Sequence, residues 1–320
     1  MGVLIGILIS IAALVYVFQK IDWTTFKQQL QSIPIWIFLS LFTICFIANA
    51  IRGVRYQFLL SLPYDVSLAS IYIGLCFNNL LPLRMGEIAR GLFVAHRLKI
   101  SRTRSIATVI LERAFDGATV VFMLGISAWM LDIHFLKNVL WLGILIFGGL
   151  LGIFCLSIWK EDSLKTLLSK WLPLCAIDIL ARVLMGFHSL RDFTKLAWIL
   201  GLSLLTWAVD GSVFGLLIWY LGIPNPFWVG YLCCSVVALS ILAPSAPGYV
   251  GVIQAAFVFC FTQLGLNASL GFSASVVIHA TQFLLTTIIG LWVLFYSHEG
   301  MSFLKNVWIQ KNAAETNSQL

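Results

Sequence analysis

The chain has 320 residues, of which 60% are hydrophobic and only 10% are charged, whereas soluble domains carry about 25% charged residues. A water-soluble protein of this size cannot hide so much apolar surface, so the composition argues against a soluble enzyme or a nucleic-acid-binding module. It predicts an all-α, polytopic membrane protein without a sizeable soluble domain.

Hydrophobic segments, about eight or nine in number, follow one another along the chain. The first, residues 1–18, lacks the basic start and the cleavage site of a signal peptide, so we expect it to be a retained span. Five more are long enough to cross a bilayer: residues 34–51, 105–131, 139–159, 196–221 and 273–296. Three are shorter and are predicted to be broken or re-entrant: residues 67–81, 227–243 and 250–266.

The connecting segments carry most of the polar residues. Residues 22–33 and 161–191 are predicted to be amphipathic helices at the membrane surface, and residues 301–320 a polar cytoplasmic tail. The net charge of +7 is concentrated in two loops, residues 84–104 and 160–195, which the positive-inside rule places in the cytoplasm together with the C-terminus. The side of the N-terminus depends on whether residues 67–81 cross or turn back.

A short pattern occurs twice, each time at the end of an undersized apolar segment. One copy contains Pro82 and Gly86, and the other contains Pro244, Pro247, Gly248 and Gly251. Proline ends a helix and glycine allows a turn with positive φ, and such a break at membrane depth is tolerable only beside protein or a water-filled cavity. Paired breaks predict a transporter-type site with a possible internal repeat. A helix that restarts after either break points its first N–H groups at the break, which suits binding of a phosphate. The alternative is two ordinary interfacial loops.

Ionisable residues inside the spans are the second signal, because each costs about 3 kcal/mol or more at a helix centre. Together with polar residues beside the breaks, they predict a cavity for a charged headgroup. Its candidate residues are Arg52, Asn78, Asn79, Arg84, Glu87, Arg90, Glu112, Arg113, Asp116, Asp210, Gln254, His279 and Gln282. Asn49, Arg52 and Arg55 stack along one face at the end of the second span. The alternative is a set of interhelical ion pairs that only fix helix packing.

Residues 79–90, NLLPLRMGEIAR, followed by LERAFD at residues 111–116, are similar to the signature of a known family. The second half agrees, with PSAPGYVGVIQ at residues 244–254 and HATQ at residues 279–282. Over residues 21–297 the chain resembles the lysylphosphatidylglycerol synthase/flippase transmembrane-domain family. Many members of that family carry Glu at the position of Gln254.

The resemblance implies one flippase-like membrane domain over residues 1–300, located in the plasma or inner membrane of the cell. Such a domain translocates or handles a polar lipid, whether a phospholipid or an aminoacylated or glycosylated one, between the leaflets. Bifunctional members also carry a soluble aminoacyl-transferase domain. Only residues 301–320 follow here, so we do not expect synthesis of the aminoacyl lipid.

Catalytic signatures are missing from the sequence. It contains no D-x-D metal motif, no G-x-S-x-G turn and no C-x-x-C pair, and its seven cysteines are expected to be buried free thiols. We therefore expect a transporter-like protein with no catalytic residues, no metal ligands and no cofactor, whose partners are membrane lipids. Two alternatives remain: an integral-membrane transferase or hydrolase, and a non-catalytic partner subunit of an envelope-lipid biosynthetic enzyme.

Overall fold

The computed structural model describes residues 2–134, 192–297 and 300–303, and the isolated residues 141, 144, 145, 148, 149, 152 and 305. Within these residues all regular structure is helical, so the all-α prediction is confirmed. Most of the predicted span at residues 139–159, the connector at 161–191 and most of the tail at 301–320 lie outside the described residues. Eight of the nine predicted hydrophobic segments coincide with helices.

The described chain begins with six helices: α1 (Gly2–Phe18), α2 (Trp23–Ser32), α3 (Ile35–Leu60), α4 (Tyr64–Leu80), α5 (Met85–Leu98) and α6 (Arg102–Met130). Helix α2 corresponds to the predicted amphipathic connector at residues 22–33. It lies at 94° to α1, and its Phe26 ring packs 5.0 Å from that of Phe272. The side chain of Asp22 caps α2 by accepting the Thr24 N–H at 2.9 Å.

Four helices and one 3₁₀ turn follow residue 192: α7 (Phe193–Tyr220), α8 (Pro226–Ser240), the 3₁₀ turn Pro247–Tyr249, α9 (Val252–Gln263) and α10 (Ala268–Tyr296). Of the described helices, α3, α7 and α10 are individually long and apolar enough to cross a membrane, and the bent pair of α1 and α2 supplies a fourth candidate span. These apolar helices fit a membrane protein.

The two halves of the structure repeat one sequence of helix lengths. Helices α3 to α6 have 26, 17, 14 and 29 residues, and α7 to α10 have 28, 15, 12 and 29. The packing between halves is reciprocal, because α4 packs on α10 while its counterpart α8 packs on α6, and α3 lies against α7. This arrangement supports the predicted internal repeat.

The first basic segment is not the loop that the sequence predicted, because residues 84–104 contain helix α5. Helix α5 folds back along α4 as a hairpin, so that a Cβ atom on Gly86 would lie only 1.8 Å from the carbonyl oxygen of Gly74. The α4 segment thus turns back at its break. The basic residues of this segment are typical of a solvated loop, but Arg90 is buried within an ion cluster.

Close helix packing depends on small residues, as is common in membrane bundles. A Cβ atom on Gly290 of α10 would lie 2.4 Å from the Cβ of Cys76 and 2.6 Å from the carbonyl oxygen of Tyr72, both on α4. Five cysteines in the described residues are free and buried, as predicted: Cys45, Cys76, Cys233, Cys234 and Cys260.

Replacement of Gly290 tests the contact between α4 and α10. We expect Gly290→Ala to destabilise the folded protein by about 1–3 kcal/mol, because the added methyl group forces the two helices apart. Gly201→Ala is the matched control, since a Cβ atom there meets no described atom within 4 Å. Thermal unfolding in detergent, followed by size-exclusion chromatography, measures both variants. Equal midpoints for the two variants would contradict the close approach.

Candidate functional site

Arg55 lies at the centre of a buried ion cluster that joins three helices. Its side chain is fully buried on α3. Nη2 donates to Oε1 of Glu112 and Nη1 donates to Oδ1 of Asp116, both at 2.6 Å, and Nη1 also donates to Oγ of Ser203 at 3.0 Å. Because Glu112 and Asp116 belong to α6 and Ser203 to α7, this guanidinium ties α3 to both helices.

Arg90 connects the α4–α5 hairpin to the same cluster. Its Nη2 donates to Oε2 of Glu112 at 2.6 Å, and its guanidinium carbon lies 3.8 Å from the ring centroid of Tyr56, within cation–π range. The carboxylate of Glu112 therefore bridges two arginines. Asp116 is held similarly, since Nε1 of Trp207 donates to its Oδ1 at 2.9 Å.

Arg113 is the most loosely held cation of the cluster. Its Nη2 lies 3.5 Å from Oε1 of Glu112 and 3.4 Å from Oδ2 of Asp116, and its Nε lies 4.0 Å from Oε1 of Glu87. These contacts are longer than good hydrogen bonds, and the buried Nε donates to no acceptor among the described residues. With 37% of the side chain exposed, Arg113 retains donors for an added ligand.

A second ion pair joins the two halves of the fold. Arg52 of α3 pairs with Asp210 of α7, and Nη1 of Arg52 also donates to Oδ1 of Asn49 at 3.0 Å. Each is the eighteenth residue of its helix, so the pair connects equivalent positions of the repeat. Arg52 is 17% exposed and Asp210 is 8% exposed.

A cavity of about 210 Å³ lies between the two halves and collects most of the predicted residues. Nine of the thirteen candidates line it: Arg52, Asn78, Asn79, Glu87, Arg90, Arg113, Asp210, His279 and Gln282. Sequence analysis missed aromatic wall residues, among them Trp207, Tyr249 and Phe283. Trp207 and Phe283 lie in apolar helices, where a lone aromatic residue is typical of the core, so the sequence carried no signal for these two. Tyr249 lies in the second broken segment, within the motif at residues 244–254.

The other four candidates lie elsewhere. Glu112 and Asp116 stand behind the wall, in contact with Arg55. Gln254 contacts the ring nitrogen Nδ1 of His279 at 3.1 Å through Nε2, while its Oε1 accepts the N–H of Gly251 at 2.8 Å. Arg84 lines a second, smaller cavity.

The two broken segments face each other across that second cavity, which measures about 140 Å³. Residues 81, 83 and 84 form one side, and residues 242–246 form the other. Asn78 and Tyr249 line both cavities, so the two spaces share a wall. Of the predicted break residues, Gly86 lines the larger cavity and Pro244 the smaller, whereas neither lining includes Pro82, Pro247, Gly248 or Gly251.

Backbone geometry explains the glycine at two of these positions. Gly248 has φ 68° and packs close to the ring of Phe283, and Gly251 has φ 88° and packs against the backbone of Ser10 on α1. One N–H group at each break already has a side-chain acceptor, because Gly86 donates to Oδ1 of Asn78 at 2.9 Å and Gly251 donates to Oε1 of Gln254 at 2.8 Å.

Sequence comparison supplies independent information about the chain. Residues 3–290 match the family described as Lysylphosphatidylglycerol synthase TM region. No curated protein matches the chain. The family match covers both broken segments and every residue of the two cavities. In the part of the chain that the structure describes, no three His, Cys, Asp or Glu side chains are grouped as metal ligands.

A double-mutant cycle tests the Arg55 cluster. We expect Arg55→Met to destabilise the protein by about 3–5 kcal/mol, because it removes a cation that lies 2.6 Å from each of two buried carboxylates. Adding Asp116→Asn to that variant should recover part of the loss, since one unpaired charge is then absent. The midpoint of thermal unfolding in detergent is measured for both single variants and for the double variant. Strictly additive effects would mean that the two side chains are not coupled.

Proposed function

Because the chain belongs to the lysylphosphatidylglycerol synthase transmembrane family, we propose that it moves a phosphate-containing polar lipid between the leaflets of its membrane. The family and the apolar helices support membrane lipid handling in general. The proposed translocation depends on the cavity between the two halves. In this proposal the protein resides in the plasma or inner membrane.

The observation that carries the proposal is the state of Arg113. Its guanidinium lines the larger cavity, is 37% exposed and makes only long contacts with its carboxylate neighbours. A guanidinium presents planar, forked donors that match the oxygens of a phosphate. Arg52 lines the same cavity, and in this proposal the two arginines, from different helices, contact one phosphodiester.

The second cavity offers a continuation of the route. The polar headgroup would move past Asn78 and Tyr249, which line both cavities, while the acyl chains stay in the lipid. The breaks at residues 81–84 and 241–251 would form the changing part of the path, because they lack the helical hydrogen-bond ladder that holds the neighbouring segments rigid. In this proposal the lipid's own concentration gradient drives the movement.

Orientation follows from the basic residues at the junction of α5 and α6. Arg97, Lys99, Arg102 and Arg104 lie within or next to the ends of these helices. Such a cluster favours the side of the membrane that faces the cytoplasm. We accordingly place the turn between α5 and α6 on the cytoplasmic side, together with the C-terminus.

Lipid movement in proteoliposomes tests the proposal. A tail-labelled fluorescent phospholipid is reduced by a membrane-impermeant reagent, and the loss of the protected signal reports exchange between leaflets. We expect wild-type protein to accelerate exchange and Arg113→Gln to slow it about tenfold or more, because a charge-assisted hydrogen bond contributes about 1.5–3 kcal/mol.

Arg104→Gln is the matched control, since Arg104 is an exposed arginine of the same helix and lies outside both cavities. This variant should keep the wild-type rate. Both variants are checked for folding by size-exclusion chromatography. A folded Arg113→Gln variant that exchanges lipid at the wild-type rate would remove Arg113 from the path, and liposomes with wild-type protein that behave like empty ones would refute translocation by this chain alone.

A further inference from the structure

The charged groups that line the two adjoining cavities, or stand directly behind them, do not cancel. Among the described residues they comprise five arginines and four carboxylates: Arg52, Arg55, Arg84, Arg90 and Arg113, and Glu87, Glu112, Asp116 and Asp210. With each group in its usual charge state, one positive charge remains. Because an uncompensated charge is costly in a low-dielectric interior, this excess favours a ligand with one negative charge.

The carboxylates are already occupied. Glu112 is fully buried between Arg55 and Arg90, and the side chain of Asp116 is 7% exposed with Arg55 at 2.6 Å. Asp210 is 8% exposed and paired with Arg52. Each of these three carboxylates therefore has a guanidinium in the position that a ligand ammonium would need.

Glu87 is the most exposed carboxylate of the set, with 28% of its side chain exposed. Two cations flank it, because Nη1 of Arg84 lies 3.8 Å and Nε of Arg113 lies 4.0 Å from its Oε1. An ammonium group that approached Glu87 would be repelled by both guanidinium groups. We therefore do not expect Glu87 to bind a cation.

The second half of the fold presents uncharged polar groups at the equivalent positions. Arg113 is the twelfth residue of α6 and His279 is the twelfth of α10. Asp116 and Gln282 are each the fifteenth residue of the same two helices. Helices α5 and α9 have Glu87 and Gln254 as their third residues.

The amide of Gln282 and the imidazole of His279 line the cavity wall contributed by α10. Amide and neutral imidazole groups donate and accept hydrogen bonds, and this property matches hydroxyl groups better than an ammonium, which only donates. The cavity thus has one wall suited to a phosphate and another suited to hydroxyl groups.

From this charge balance, and relying on the function proposed above, we propose that the translocated lipid is an anionic phosphodiester lipid with an uncharged, hydroxyl-bearing headgroup such as a glycerol or a sugar. Its phosphate is held by Arg113 and Arg52, and its hydroxyl groups contact Gln282 and His279. A zwitterionic lipid leaves the cavity with one excess positive charge, and a lipid with a lysyl headgroup leaves two. Both are disfavoured.

The test compares three tail-labelled lipids in proteoliposomes of the wild-type protein: phosphatidylglycerol, phosphatidylethanolamine and lysylphosphatidylglycerol. We expect phosphatidylglycerol to exchange at least about tenfold faster than the other two, each measured relative to protein-free liposomes. Equal rates, or faster exchange of an ammonium-bearing lipid, would overturn the headgroup assignment while leaving translocation intact.

If none of the three lipids exchanges faster than in empty liposomes, the proposed translocation fails and binding decides the headgroup. Isothermal titration of the purified protein in detergent with short-chain versions of the same lipids then measures the preference. Tighter binding of phosphatidylglycerol, by about tenfold, supports the assignment. Equal binding, or tighter binding of lysylphosphatidylglycerol, rejects it.

A charge substitution at Gln282, in the cavity wall contributed by α10, provides a second test of the headgroup assignment. Gln282→Glu restores a carboxylate at the position equivalent to Asp116, and it removes the positive excess. We expect the ratio of phosphatidylglycerol to phosphatidylethanolamine exchange to fall at least about fivefold in this variant. Gln263→Glu is the control, because Gln263 is exposed at the end of α9 and lies outside the cavities. An unchanged ratio in a folded Gln282→Glu variant overturns the assignment.

Discussion

A guanidinium group buried in a lipid-solvated bundle must have its charge and its hydrogen bonds met by protein, and the Arg55 side chain sets this requirement for the whole structure. Two carboxylates of α6 and a hydroxyl group of α7 meet its charge and accept from both of its terminal nitrogens, Nη1 and Nη2, while its Nε has no acceptor among the described residues. Since Glu112 also accepts a hydrogen bond from Arg90, the requirement extends to the α4–α5 hairpin. The positions of four helices around the cavity therefore depend on one cluster of charges.

The α4–α5 hairpin shows how a break in a membrane helix becomes tolerable. The backbone N–H of the buried Gly86 is satisfied by the side chain of Asn78, and the absence of a side chain at Gly86 lets α5 lie directly against the Gly74 carbonyl. The hairpin in turn carries Glu87 and Arg90 into the bundle. A pattern that looks like an interfacial turn in the sequence thus delivers charged residues to the interior.

The sequence predicts the helices and most of the cavity wall because both depend on local features. Apolar length marks α3, α7 and α10, and charges within apolar segments mark Arg52, Arg113 and Asp210. Which face of α6 points to the cavity depends on its contacts with other helices. The sequence alone therefore does not show that Arg113 lines the cavity while Glu112 and Asp116 lie behind it. Arg55 likewise lies beside Arg52 in the sequence, but nothing local marks it as part of the site, because its partners lie 57 and 61 residues away.

The internal repeat gives the cavity two walls of similar shape and different chemistry. Equivalent helices place Arg52 and Asp210 at the same position and join them as a pair, so the central contact between halves is itself electrostatic. Away from that pair, the first half holds most of the charge and the second half holds amide and imidazole groups. A duplicated scaffold explains why two breaks face one space, and the divergence of its side chains explains why the two ends of a bound headgroup would meet different environments. Affinity for a phosphate and selection among headgroups can therefore change independently, since they depend on residues of different halves.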